Sequence, residues 1–352
     1  MSDSIALIDK LEKERTLAAE EFAALLTGLN EVSRKYLHER ARQTAIKRFG
    51  NKIYVRGLIE FTNYCRQNCY YCGIRRDNRN FTRYRLSPDE ILECCDTGYE
   101  LGFRTFVLQG GEDPHYTDAI IADIVRRIKT KYTDCAVTLS LGEKSEASYR
   151  LFREAGADRY LLRHETATDE HYARLHPQDQ TLAARKACLY TLRKLGYQVG
   201  AGFMVGSPYQ TTQNIVTDLL FIKELSPQMV GIGPFLPHHD TPFADFAAGS
   251  VELTLALLSI LRLMIPNLLL PATTALGTAA ADGRDLGILA GANVLMPNLS
   301  PAGIRELYLL YDNKLCTGDE AAESLAALRQ RLVGIGYEAV AERGDFCPED
   351  EI

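Results

Sequence analysis

The chain has no tryptophan and only five methionines in 352 residues. It lacks any long run of basic residues and carries a formal net charge of −6, so the electrostatic footprint of a nucleic-acid-binding protein is missing. Long apolar runs are missing too: nothing approaches the roughly 20 residues that a membrane-spanning helix requires. The opening stretch, "MSDSIALIDKLEKERTLAAEEF", is charged throughout and has none of the apolar core of a signal peptide. Low-complexity segments are absent. Together these exclusions predict a cytoplasmic protein that meets neither membrane nor nucleic acid. What remains is a chain 46% hydrophobic, ample for one large barrel or two ordinary domains.

Nine cysteines in a chain of this size do not form the paired spacings of a secreted disulfide framework. They suit a reducing compartment. Cys94, Cys95, Cys135 and Cys188 stand in helix-like or strand-like runs and read as buried, inert thiols. Cys65, Cys69 and Cys72 are different, being crowded into one loop, "FTNYCRQNCYYCG".

Residues 4–48 are expected to be helical, because apolar side chains recur there at three- and four-residue steps. Beyond them, strand-like and helix-like runs alternate. The strand-like runs are 53–61, 105–109, 136–141, 159–165, 198–205, 229–235, 268–273 and 293–297. Helix punctuation falls between them. "SPDE" at 87–90 is a capping box with proline at the first helical position, and "EAGAD", "KLGYQ" and "LAGAN" place glycine just past a helix. Eight strands alternating with helices predict an α/β fold, a complete parallel (β/α)8 barrel of the TIM type; a doubly wound open sheet is the alternative. The expected divisions are an N-terminal helical extension (1–50), the barrel (51–317), and a C-terminal helix and tail (318–352).

Polar residues gather just after the strands: "QGGEDP" at 109–114, "SLGE" at 140–143, "RHET" at 163–166, "GPFLPHHDTP" at 233–242 and "ATTALGT" at 272–278. In a parallel barrel these junctions share the C-terminal rim, where active sites form. The strand "RYLLRHE" alternates, so Arg159, Leu161, Arg163 and Glu165 share one face and Tyr160, Leu162 and His164 the other. If the first set points inward, two guanidiniums and a carboxylate enter the barrel. They form either a structural Arg–Glu pair or an anion site, since the arginine fork suits carboxylates. Arg56 and Glu60 share a face of the first strand and could pair inside. His238 and His239 are adjacent on an extended segment, with no third metal ligand evident, and read as loop residues.

The loop spacing is C-x3-C-x2-C, directly after the first strand. Structural zinc would need a fourth ligand, and a cubane [4Fe–4S] cluster normally takes four thiolates. Three leave one iron open to a small molecule. Zinc and three plain buried thiols remain as alternatives on spacing alone.

The C-x3-C-x2-C loop after the first strand resembles the radical S-adenosylmethionine (SAM) superfamily. Within it, "IEFTNYCRQNCYYCGIRRDN", "LQGGEDPHY", "ADRYLLRHETA", "QMVGIGPF", "PATTALGT" and "GANVLMPN" are similar to the HydE family of [FeFe]-hydrogenase maturases, near biotin synthase and methylornithine synthase. The resemblance implies a [4Fe–4S] cluster on Cys65, Cys69 and Cys72, with SAM on the open iron. It implies Tyr71 on the adenine, Gly110, Gly111, Glu112 and Asp113 at the methionine amino group, and Ser140 at a strand end nearby. Glu165 would face the ribose or methionine part, Arg185 the methionine carboxylate, and Met229 and Ile232 the adenine. Arg159, Arg163, Thr273 and Thr274 would hold a substrate carboxylate. That substrate would be a cysteine-bound iron carbonyl–cyanide species, an organometallic small molecule. The partners implied are the other hydrogenase maturases and a reducing electron donor. Two further classes stay open: a methylornithine synthase-like radical mutase and a non-catalytic iron–sulfur carrier. The sequence departs from the family pattern where an accessory cluster often sits: Cys316 is alone, with Ser324 and Ala327 in the other places.

Overall fold

A computed structural model describes residues 3–315 and 324–348. The N-terminal segment forms three helices, Asp3–Glu14, Ala19–Gly28 and Glu31–Phe49. The first ends at Arg15, whose φ of 59° leaves the helical region, and the third starts at Asn30, whose side chain accepts from the Ser33 amide. Ile8, Leu11, Phe22, Leu25 and Leu37 from this layer are fully buried in the main core.

Strands form within seven of the eight strand-like runs, and the remaining run, 268–273, contributes only isolated bridges. The strands are β1 (Lys52–Val55), β2 (Gly57–Thr62), β3 (Thr105–Gly110), β4 (Ala136–Ser140), β5 (Arg159–Leu161), β6 (Gln198–Ala201), β7 (Met204–Val205), β8 (Met229–Val230), β9 (Gly233–Pro234) and β10 (Val294–Leu295). β2, β3, β4, β5, β6 and β8 pair in parallel, in that order. Single parallel bridges carry the ring onward, Met229 to Leu269 and Pro271 to Val294. β10 then pairs with β1, and Leu58 bridges Asn298, so the last strand meets the first. The fold is therefore an α/β barrel of the TIM type. Several barrel strands are broken rather than continuous: Arg56 interrupts the first, and breaks beginning at Gly202 and Gly231 interrupt two others. At Gly202 any Cβ would come within 2.0 Å of the Gly231 carbonyl oxygen, so the two broken strands touch backbone to backbone.

Outer helices follow their caps. Ser87 accepts from the Glu90 amide and Glu90 returns a bond to the Ser87 amide at 2.7 Å, opening the helix Pro88–Glu100 as the capping box predicts. Gly156, Gly196 and Gly291 all have positive φ just past helix ends.

The C-terminal part adds an element that periodicity did not reveal. After the helix Leu325–Gly334, β11 (Glu338–Val340) pairs in parallel with β1. The chain then runs under the barrel's N-terminal end, bringing Arg343, Gly344 and Asp345 against Thr105, Arg56 and Arg159. Cys316 lies outside the described residues.

Candidate active site

The C-terminal rim opens into a chamber of about 290 Å³. Its wall is built by the loop after β2, which carries Cys65, Cys69, Tyr71 and Cys72, and by Gly110, Gly111 and Glu112 after β3. Ser140 ends β4; Leu161, Arg163 and Glu165 continue from β5. Arg185 from the helix Leu182–Lys194, Phe235 after β9, Thr273, and the segment Tyr308–Tyr311 complete it. β5 ends at Leu161, and the segment beyond it turns Arg163 and Glu165 into the chamber, Glu165 through a left-handed backbone conformation. On the opposite face His164 is fully buried against the outer helices, 3.3 Å from Asp218.

The cysteine loop is tied down at many points. Arg83 donates to the carbonyls of Ile74, Arg75 and Asn78 at 2.8, 2.7 and 3.0 Å, and also to that of Asn63. Glu112 accepts from Arg66 Nε at 3.0 Å, Gln67 Nε2 at 2.8 Å and the Glu143 amide at 2.9 Å. Gly111 is obligatory, because a Cβ there would stand 2.2 Å from the Tyr64 carbonyl oxygen and 2.8 Å from Cys65 Cβ. The residue after the last loop cysteine, Gly73, packs against His238 and donates to the Leu310 carbonyl at 2.9 Å.

Burial pushes all three loop thiols up, Cys69 to about 12 and Cys72 well above its ordinary value, with neighbouring thiols adding to the rise. Three thiolates this close are stable together only against cationic charge, which is what iron supplies. The Glu112 amide donates to Cys65 Sγ at 3.4 Å, a further thiolate-stabilising contact. Across the chamber, Arg163 Nη2 stands 3.2 Å from Glu165 Oε2, and Arg185 Nε 2.8 Å from Glu143 Oε1. Both contacts lack hydrogen-bond geometry, and Arg163 Nε and Nη2, Glu165 Oε2 and Arg185 Nε are buried without a hydrogen-bond partner. Cations and a carboxylate with unmet hydrogen bonds facing one space suit a ligand with both an ammonium and a carboxylate, such as the methionine end of SAM. Glu165 holds its position with φ at +64°, a strained conformation for a non-glycine residue, found mostly at functional sites. The donor set therefore fits a cluster on Cys65, Cys69 and Cys72 with SAM beside it.

Several expected residues lie elsewhere. Arg159, at the start of β5, is about 13 Å down the strand from Arg163 at ordinary strand rise and does not line the chamber. It donates to Asp345, the Arg343 carbonyl, Thr105 and Gln198. Met229 borders the small void of about 10 Å³ beside Arg159, and Ile232 is sealed in the core, so neither faces the chamber. Asp113 is turned away: it accepts from Arg85 at 2.7 Å and Thr62 at 2.8 Å. Thr274 begins the short helix Thr274–Ala279 and is not on the wall, while Thr273 spends its hydroxyl capping that helix and donating to the Ile232 carbonyl. Arg56 and Glu60 do not pair. Arg56 reaches Met229 Sδ and the Gly344 carbonyl, whereas Glu60 accepts two bonds from buried Lys314, at 2.7 and 2.8 Å, and one from Asn298.

No motif marks Gln180, whose Oε1 lies 3.6 Å from Cys69 Sγ, or His176. Burial holds His176 neutral, its imidazole lowered to about 3, and its Nε2 meets the Tyr71 hydroxyl at 3.2 Å. His238 and His239 do find a third group, Asp312; the three ligand atoms lie within 4.8 Å. His238 Nδ1 accepts from the Asp240 amide at 3.1 Å, which places its proton on Nε2, facing Asp312. His239 bridges Asp312 at 2.7 Å and Asp240 at 3.2 Å. This is an ion-paired latch between the loop after β9 and the segment roofing the chamber.

Residues 59–222 match the Radical SAM superfamily. The chain is 44% identical, over 94% of its own length and 94% of the relative's, to "[FeFe] hydrogenase maturase subunit HydE" of Thermotoga maritima. The chain belongs to the HydE family of radical SAM enzymes. Its cofactors are thus a [4Fe–4S] cluster and SAM. It is also 30% identical to 3-methylornithine synthase of Methanosarcina barkeri, over 97% of this chain and 95% of the relative. Among solved structures, methylornithine synthase (PylB) superposes with a TM-score of 0.83 at 28% identity, covering 95% of this chain and 97% of that one. HydG superposes at 0.81 and 21% identity, covering 96% and 76%, a likeness of fold alone. No described helix is long and apolar enough to cross a membrane.

Proposed function

We propose that this HydE-family enzyme matures an [FeFe]-hydrogenase, acting on a cysteine-bound mononuclear iron carbonyl–cyanide species on the way to the dinuclear iron unit. It would work with the other maturases and a reducing electron donor. Bound at the rim, the cluster and SAM supply a 5'-deoxyadenosyl radical. This chain's residues bind, orient and exclude water. Arg185 and Glu165 would hold the methionine end of SAM, with the backbone of Gly110 and Gly111 beside them and Tyr71 on the adenine. Arg163, with unsatisfied N–H groups, would take the substrate carboxylate. Ile74, Leu161, Phe235, Leu236 and Leu310 leave an apolar space around it that keeps water from a reactive species.

The observation that carries this reading over the methylornithine one is the pairing of acids. Glu112 and Glu165 are the acids on the chamber wall among the described residues: Glu112 already accepts from Arg66, Gln67 and the Glu143 amide, and Glu165 would be taken up by the SAM ammonium. A lysine-derived substrate would need free acids for its ammonium groups; a cysteine-bound iron complex with neutral and cyanide ligands needs a cation and room. Complementation tests the proposal. The chain should restore hydrogenase activity in cells that hold the other maturases but lack their own radical barrel. Methylornithine formed from lysine, SAM and reductant, without that rescue, would select the other relative.

A further inference from the structure

The cysteine loop has a second side. Cys65 lines the inner chamber and also the floor of an outer groove of about 370 Å³, whose other walls are Tyr64, Arg76, Asn78, Arg79, Phe81 and Arg83. Between Cys65 and Arg85 the sequence carries six arginines and one acid, Asp77; Glu112 and Asp113 pair with two of the arginines, Arg66 and Arg85, which leaves a local excess of three positive charges (six less three) in a chain of net charge −6. Arg83 is consumed in bracing the loop. Arg76 and Arg79 are exposed; Arg76 makes only long contacts of 3.4 Å, to Asp77 and the Arg66 carbonyl. Phe81 and Tyr64 lie under Arg83 and Arg85, at 4.3 and 3.7 Å from ring centre to guanidinium carbon. Arginine over aromatic rings is the composition of a protein-binding hot spot.

We infer that this groove is the docking face for an acidic, low-potential one-electron carrier protein, which delivers its electron to the cluster through Cys65 from outside while substrate and SAM occupy the inside. The carrier loses one electron and the cluster gains one; no proton or atom moves. The inference rests on the cluster assignment above and names the class of electron donor. An acidic occupant follows from the concentration of positive charge at one spot of an otherwise acidic protein, where attraction would be local and oriented. A redox occupant follows from the floor, since one side chain separates the groove from the iron.

The test mixes reconstituted enzyme with reduced two-cluster ferredoxin or flavodoxin hydroquinone in a stopped-flow instrument and follows cluster absorbance, alongside direct binding measured by titration calorimetry. The second-order rate should fall steeply as salt rises. Arg76→Glu with Arg79→Glu should slow it by about 10- to 100-fold and weaken binding to match. Reduction by methyl viologen radical, a cation, should stay at least as fast, showing that the cluster is intact. A control with the same net charge, Arg126→Glu with Lys194→Glu on other faces, should change little. Equal slowing in both pairs, salt-independent rates, binding of neither carrier to the unmutated enzyme, or equal binding of a redox-inactive acidic protein would each overturn the proposal. SAM cleavage driven by methyl viologen tests the cluster assignment separately and does not depend on the groove.

Discussion

Arg159 Nη2 lies 2.5 Å from Asp345 Oδ1, joining the start of a barrel strand to the last described turn of the chain. The pair closes the N-terminal end of the barrel. Asp345 also accepts from Arg343 at 2.7 Å, and Arg343 in turn reaches Asp158 at 3.0 Å. Burial alone would raise the Asp345 carboxyl, but the hydrogen bond from Arg343 and the nearby arginine charges outweigh it and hold the carboxyl at about 2.

This pair should stabilise the fold. Removing one member of a buried pair typically costs about 3–5 kcal/mol; Asp345→Ala should fall at the low end because its side chain is 36% exposed. Replacing both residues with leucine should cost less than Asp345→Ala alone, since no buried cation is then left unpaired. Urea denaturation measures both. The sign of the pH effect follows from the lowered carboxyl. Its contribution is complete above the unfolded value near 4 and disappears as pH falls towards about 2. The difference between native and Asp345→Asn protein should shrink across that window, and an unchanged difference would show that the carboxylate is not what stabilises.

Arg163 and Arg159 should separate in function. Arg163→Leu should weaken binding of a carboxylate ligand to the chamber by roughly 2–5 kcal/mol, read by isothermal titration. Arg159→Leu should lower stability and leave that affinity nearly intact. The reverse pattern would place the anion site at the barrel floor.

Replacing Cys65, Cys69 or Cys72 with alanine should abolish SAM cleavage and empty the cluster site in iron analysis. The unmutated, reconstituted protein should hold about four irons per chain, one cubane. A reproducible content near twice that would reveal a second cluster.

Gly111→Ala should act on the same site without removing a ligand. Its new Cβ meets Tyr64 and Cys65 backbone and side-chain atoms closer than contact allows, so the cysteine loop must move. Iron loading should drop. Gly303→Ala, where nothing lies within 4 Å of the added carbon, is the matching control and should be close to neutral.

The sequence by itself determined an α/β chain of alternating strands and helices, because strand-like runs, helix caps and glycine stops are local; closure into a barrel, against an open sheet, was decided by the pairing of the last strand with the first. The sequence also marked the cysteine loop, three thiols at C-x3-C-x2-C spacing, although only the family resemblance made that loop a cluster site; that Arg163 and Glu165 face the chamber was left for the structure to decide. The counter-charges were not in the sequence. Arg159 and Arg163 lie four residues apart, one in the floor and the other in the chamber, and the partner of Arg159 comes from a segment nearly 200 residues later that returns to supply Asp345. Glu60 drew Lys314 rather than Arg56 for the same reason. A buried charge takes whatever counter-charge the tertiary fold brings to it, and that choice depends on distant segments that no local pattern encodes.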